Sequence, residues 1–299
     1  MLECVVNVSE GRDTHRLRAI ARACGPSLID VHADPDHHRS VFTLAGPGPR
    51  DAVGRARLLA VAVAEQCSIV DHAGEHPRFG ALDVVPFVAL GRSRIERAQA
   101  AEEAREFGEW WAREFAVPVF LYDEADPEQR DLPSVRATCF RTREPDFGPA
   151  APHPRLGTTA VGARQPLVAC NCVLVSTDIS VARQIARETR ERSGGLRGVR
   201  ALGFFLDEAQ RAQVSMNLVE LECTGLQDAC LHVRALAREH GTDVARIELV
   251  GLIPRHDLDR CTDDFLRWSR LDAESTIEAR VGRGPRWWPG DPRANPVAT

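Results

Sequence analysis

Between Gly74 and Phe87 the chain reads GEHPRFGALDVVPF, which gathers an imidazole, a neighbouring carboxylate, a guanidinium and two glycines. His76 is the centre of that group. Its unperturbed pKa near ~6.5 makes histidine the side chain best placed to take a proton and return it at neutral pH. The plainer alternative is a loop histidine that only bonds its neighbours, and these residues alone leave both readings open. An apolar run, Ala81 to Leu90, follows at once and is expected to be a buried strand. Chemistry held at the mouth of such an element keeps its geometry better than chemistry on a free loop.

Other constellations compete with it. The run DPDHHR, Asp34 to Arg39, taken with His72 and His76, has residue types that bind metals. Adjacent His37 and His38 on extended chain point opposite ways, however, and no H-E-x-x-H or H-x-H spacing occurs, so a polar substrate-contact loop is the preferred reading. Arg39, Arg78 and Arg164 offer planar forks that match carboxylates, which suits an anionic substrate. With 38 basic residues in the chain, a solvated surface charge is the alternative for each. GTTAVGAR, Gly157 to Arg164, permits close backbone approach at its glycines, but it lacks the strand-turn-helix context of a nucleotide fingerprint and reads as a bulged strand. A Ser-His-Asp set built on Ser9 or Ser40 with His76 lacks a G-x-S-x-G elbow.

The elements that must position these residues follow from pattern. Leu2–Val8 is predicted to be a strand, Asp13 an N-cap for a helix to Ala23, and Leu28–His32 and Ser40–Ala45 two further strands. A helix over Arg50–Gln66 leads to the Ala81–Leu90 strand, giving β-α-β-β-α-β, the split βαβ pattern. A helix at Ile95–Phe115, a strand at Val117–Tyr122 and a helix at Asp126–Arg136 opened by Pro127 extend it. Proline, glycine and small residues from Arg143 to Pro154 predict a linker. Beyond it Pro166–Ser176, Asp178–Arg192, Val199–Leu206, Ala212–Glu222, Leu226–His240 and Ile247–Ile253 spell β-α-β-β-α-β again. The expected class is therefore α/β (α+β), two consecutive subdomains with helices packed on sheets and a ligand cleft between them.

Composition excludes several chemistries. All 38 basic residues are arginine, so Schiff-base chemistry, a lysine-held pyridoxal phosphate and a Walker-type lysine are ruled out within this chain. A net charge of −5, with arginines scattered among as many acids, argues against nucleic acid or an anionic membrane as partner. Nine cysteines without a C-x-x-C pair, and strand-like sequence from Leu2 on, predict reduced thiols in a cytoplasmic protein. No apolar stretch approaches a membrane span.

ECVVNVSEGRD at Glu3–Asp13, IDVHADPDHHRSVFTLAGP at Ile29–Pro47 and GEHPRFGALDVVPF resemble the glutamate formiminotransferase family. So do VPVFLY at Val117–Tyr122, PDFGP at Pro145–Pro149, GTTAVGAR, AQVSMNL at Ala212–Leu218 and ELVGLIP at Glu248–Pro254. The resemblance implies transfer of a formimino group between N-formimino-L-glutamate and tetrahydrofolate as co-substrate, a step of histidine breakdown that needs no metal. It implies that folate lies between two α/β subdomains, here 1–165 and 166–282, with a loose tail over 283–299. The family's catalytic histidine falls on His76, which Asp83 and Glu75 are candidates to orient. Its folate-contacting stretch falls on Gly148, Pro149, Ala150, Ala151, Pro152, His153, Pro154, Arg155, Leu156 and Gly157. Arg39 and Arg164 are expected to hold substrate carboxylates, and Asp34 to accept from the pterin's amino group. Homodimers are implied, and a cyclodeaminase partner is expected to be a separate protein. Formyl transfer between folate and glutamate, or a non-catalytic folate-binding protein of the same fold, are the alternatives. The chain departs from the family pattern at His38, where asparagine is expected, at Arg155–Leu156, at Arg197–Gly198 and in a shortened segment before Pro145.

Overall fold

A computed structural model describes residues 1–46, 49–70, 72–73, 78–91, 93–207, 209–283 and 285. Strands are β1 (Leu2–Val8), β2 (Leu28–Asp34), β3 (Arg39–Gly46), β4 (Leu82–Ala89), β5 (Val119–Asp123), β6 (Thr159–Arg164), β7 (Val168–Leu174), β8 (Val199–Leu206), β9 (Arg211–Leu218) and β10 (Val244–Val250). The longer helices are α1 (Thr14–Cys24), α2 (Pro49–Gln66), α3 (Arg94–Phe115), α4 (Leu132–Thr138), α5 (Ile179–Thr189) and α6 (Leu226–Glu239). Two compact units result, one running to Gln165 and taking in the described residues from Val281 on, the other spanning Pro166–Arg280.

Local chemistry starts the helices where expected. The Asp13 carboxylate accepts from the backbone N–H groups of His15 and Arg16, and Asp178 accepts from Ser180 N–H. Each satisfies donors that the first helical turn cannot. The two units then share one topology. The first sheet runs β2-β3-β1-β4-β6-β5 and the second β10-β7-β9-β8. The four strands of each split βαβ therefore lie in the same order, second-third-first-fourth, and all pair antiparallel.

The first unit adds to this plan. Strand β6 inserts between β4 and β5 and is parallel to both. Helices α1, α2 and α3 cover one face of the sheet, burying Cys4, Val6 and Val8 of β1, Phe42 and Leu44 of β3, and Phe87 of β4. Side chains alternate along a strand, so Glu3 and Asn7 of β1 and Arg39 and Thr43 of β3 project to the opposite face. There α4 makes a smaller apolar cluster from Val84, Phe120, Tyr122, Val135 and Ala160. In the second unit Cys170 and Cys172, on one face of β7, pack with Cys230 of α6 in the core. All three thiols are free, as reduced and buried cysteines should be.

Three expectations are corrected. The helix expected at Asp126–Arg136 is α4, Leu132–Thr138, because the buried Asp126 carboxylate organises a turn instead. It takes the backbone N–H groups of Glu128 and Arg130, and the Arg130 guanidinium clasps it at 2.6 and 2.9 Å. The strand expected at Ile247–Ile253 is β10, Val244–Val250, since its pairing with β7 ends at Val250 opposite Ala169 and Ile253 bridges Thr276. The expected linker at Arg143–Pro154 belongs to the first unit. Asp146 N–H and Val119 N–H exchange bonds with the Val119 and Phe147 carbonyls, and the Asp146 carboxylate accepts from Leu121 N–H at 2.7 Å. The tail expected over 283–299 lies outside the described residues except for Arg283 and Pro285.

Candidate active site

One end of the first sheet collects most of the residues singled out above. Val8 pairs with Ser40 of β3 and Leu82 of β4, so the end of β1, the β2–β3 loop and the start of β4 form one rim. Ser9 fastens the rim to the segment entering β4, its hydroxyl donating to Gly80 O at 2.7 Å and its N–H to Ala81 O at 2.8 Å.

Asp83 is the anchor of the rim. The β1–β4 register slips by one residue between Asn7, opposite Val84, and Val8, opposite Leu82. This bulge gives Asp83 no partner and re-aims its side chain toward α4. Its fully buried carboxylate accepts from Arg39, from Arg136 of α4 at 3.2 Å and from Phe79 N–H. The Asn7 side-chain oxygen holds the rest of the Arg39 fork, at 2.9 and 3.2 Å. Arg39, expected to receive a substrate carboxylate, is thus already held by Asp83 and Asn7, with 12% of its side chain exposed.

The β2–β3 loop is a turn, and its histidines are not on extended chain as expected. Asp34 folds it: its carboxylate accepts from His37 N–H at 2.9 Å and from His37 Nδ1 at 2.6 Å. Burial works to raise the Asp34 carboxyl, but the His37 bonds and charge outweigh that and hold it below the usual range. Both oxygens expected for a pterin amino group are therefore engaged by His37. His38 turns the other way, toward Glu10 and Ala73.

The stretch Gly148–Gly157 meets the rim at its far end. His153 and Gly157 pair across a tight turn, and His153 Nδ1 accepts from the N–H groups of Leu156 and Arg155 at 3.0 and 3.2 Å. Arg155 donates to the carbonyls of Ala64 and Cys67 at the end of α2, and Leu156 is buried. Pro149, Ala150, Ala151, Pro152 and Pro154 remain exposed, and Gly148 packs on the α3–β5 connection.

The turn touches the segment entering β4 backbone to backbone. Ala81 N–H donates to Leu156 O at 2.9 Å and Gly80 bridges Gly157. A Cβ on Gly80 would lie 2.3 Å from Leu156 O and 2.4 Å from Thr158 O, while Gly157 holds a φ of 74°. Gly80→Ala is therefore expected to cost about 1–3 kcal/mol, through backbone displacement, and to weaken substrate binding. Urea unfolding and a substrate titration of the variant check both.

Gly74, Glu75, His76 and Pro77 lie outside the described residues, so the central expectation is located here only by its flanks, Ala73 and Arg78. Arg164 does not join Arg39 and Arg78. It pairs with Val88, five residues along β4 from Asp83, or ~16 Å at about 3.3 Å per residue, and donates to the neighbouring Gln165 carbonyl. Sequence reasoning missed Asn7, Glu10 and Arg136. The first two stand in the NVSEG turn, whose polar run was a signal, whereas nothing in the sequence distinguishes Arg136 from the other arginines. Among the described residues no group of three or more His, Cys, Asp or Glu side chains is placed to hold a metal ion.

A hydrogen-bonded rim of imidazoles, guanidiniums and carboxylates on a rigid sheet is a surface suited to a small polar substrate. Residues 1–164 match the formiminotransferase domain, N-terminal subdomain, and residues 169–281 the formiminotransferase domain. The chain is 35% identical over 298 residues to a glutamate formimidoyltransferase of Thermoplasma acidophilum, covering 94% of this chain and 97% of that protein. A glutamate formimidoyltransferase of Streptococcus pyogenes serotype M1 is 35% identical over 292 residues, 93% of this chain and 97% of that one. The formimidoyltransferase-cyclodeaminase of Sus scrofa is 38% identical over 275 residues, 85% of this chain and 50% of that one. The chain belongs to the formiminotransferase family.

Proposed function

We propose that this protein transfers a formimino group between N-formimino-L-glutamate and tetrahydrofolate. The observation that carries the reading is collinear similarity to proteins named glutamate formimidoyltransferase over nearly the full length of both chains. In the reaction a folate nitrogen bonds to the formimino carbon and the glutamate nitrogen leaves. One proton must leave the attacking amine and one must reach the departing amine. A single histidine near neutrality serves both transfers, and His76 is assigned that role. The exposed run Pro149–Pro152, with His153 and Gly157 of the turn, is assigned to folate contact. The Asp83–Arg39–Asn7 network supports the rim from beneath. We also read the enzyme as a cytoplasmic homodimer, which light scattering of the purified chain tests for its oligomeric part; among the described residues no helix is long and apolar enough to cross a membrane.

The decisive assay mixes the protein with tetrahydrofolate and either N-formimino-L-glutamate or N-formyl-L-glutamate, and follows the folate product by absorbance. Turnover is expected with the formimino donor. Turnover with the formyl donor alone would replace formimino with formyl transfer, and folate binding without turnover from either would leave a binding protein.

A further inference from the structure

His38 closes the β2–β3 loop with a φ of 47°, in the left-handed region that histidine tolerates better than most side chains. That turn aims its ring at two acceptors. Nε2 lies 3.2 Å from the Glu10 carboxylate and Nδ1 lies 3.0 Å from the Ala73 carbonyl. Burial works to raise the Glu10 carboxyl, but the N–H groups of Asp13 and Arg12, together with His38, outweigh it and hold Glu10 below the usual range. An ionised carboxylate and a carbonyl only accept, so both ring nitrogens must donate, and an imidazole with hydrogen on both nitrogens is an imidazolium.

His72 has the opposite arrangement. Its Nε2 donates to the His38 carbonyl at 3.0 Å and its Nδ1 accepts from Arg78, which fixes a neutral ring with hydrogen on Nε2. The two rings stack, with centroids 4.0 Å apart and planes 15° from parallel. The chain on either side of Gly74–Pro77 is thereby tied to the rim, through His72 and Ala73 before it and Arg78 after it. The rim side of the tie is itself fixed, since Arg16 pairs with Glu10 at 3.2 Å and Arg12 donates to Pro35 O at 2.8 Å.

We propose that His38 is a positioning residue: as an imidazolium it clamps His72 and Ala73, and with them Arg78, to the rim at Glu10. Its effect on rate rests on the transfer reading; the clamp itself does not. The titratable and charged groups facing it are Glu10, Arg12 and Arg16 from the segment after β1 and from α1, His72 and Arg78 from the segment before β4, and Asp34, His37 and Arg39 of its own hairpin. Loss of one proton leaves one donor for two acceptors, so a neutral His38 ring holds only one side of the clamp.

The test uses the full chain. Histidine ¹⁵N NMR at about pH 6 is expected to show His38 protonated on both nitrogens and His72 neutral with hydrogen on Nε2. Amide exchange at residues 72, 73, 78 and 79 is expected to quicken about tenfold or more in His38→Ala. In His38→Arg, whose guanidinium keeps its donors at every pH, protection should persist without the alkaline decline of the natural chain. In the transfer assay His38→Ala should lose about tenfold in kcat through misplacement, with a smaller change in KM, and His38→Arg should recover it. A neutral His38 at that pH, or unchanged exchange in His38→Ala, overturns the proposal. Should His38→Ala loosen the whole first unit, His38→Arg decides: a segment protected independently of pH supports the clamp, and a pH profile like the natural chain's overturns it. If the natural chain turns over neither donor, the functional reading fails, while the NMR and exchange arms still decide the clamp.

Discussion

His76→Ala is expected to lower kcat/KM for formimino transfer by about 10²–10⁴-fold, the factor that a positioned acid–base side chain supplies. The loss should fall mainly on kcat, because proton transfer is felt in the transition state more than in the bound substrate. The limb of the pH–rate profile that reports the base should also vanish. Most other histidines on the rim are poorly placed to take over. His37 Nδ1 is held by Asp34, both nitrogens of His38 and of His72 have partners, and His153 Nδ1 accepts from two backbone N–H groups. His38, His72 and His153 would each have to break a bond that shapes the rim before taking up a substrate proton. Retention of activity within about threefold would remove His76 from the mechanism.

Asp83→Asn is expected to cost about 3–5 kcal/mol of stability at neutral pH, the penalty for leaving buried charge without its counterion. The variant keeps the shape and one acceptor, but the guanidiniums of Arg39 and Arg136 then share a buried site with no anion. The pH dependence has a defined sign. Burial works to raise the Asp83 carboxyl, but Arg39, Arg136 and the Phe79 N–H outweigh it and hold it below its ordinary value. A carboxyl depressed on folding contributes stability that is complete above its unfolded pKa of ~3.9 and lost as pH falls through the lower folded value. Urea unfolding of the two proteins should therefore differ most at neutral pH and converge in acid. A constant difference across that range would mean that Asp83 acts by packing rather than charge.

Much of the scaffold was legible because its signals are local. Asp13 and Asp178 cap helices through their own side chains, and apolar alternation or continuity marks β1, β3 and β4. The errors lie where distant residues decide. Pro127 and the residues after it look like a helix start, but the fate of that segment is set by Asp126 meeting Arg130 and Arg143. The prolines of Arg143–Pro154 look like a linker because the bonds that hold them come from β5. The site shows the same division. His76, Arg39 and Asp34 stand out by residue type, yet nothing local says that Arg39 is spent on Asp83, or that Arg164 sits at the other end of its strand.

The place of β6 also bears on the order in which the first unit can assemble. Among the described residues β6 is the one strand that β5 pairs with, and β4 has β6 on its outer side, so both wait for residues 159–164. A chain emerging from synthesis can form the β2-β3-β1-β4 core from local hairpins and short crossovers. Until the last strand arrives, however, β4 presents a bare hydrogen-bonding edge, a template for pairing with another chain. Closing the sheet then joins segments more than seventy residues apart, Leu82 to Thr159, at the loop-closure cost that slows folding. The first unit should therefore be the slower and more chaperone-dependent half, and chains cut short before Thr159 the ones that aggregate.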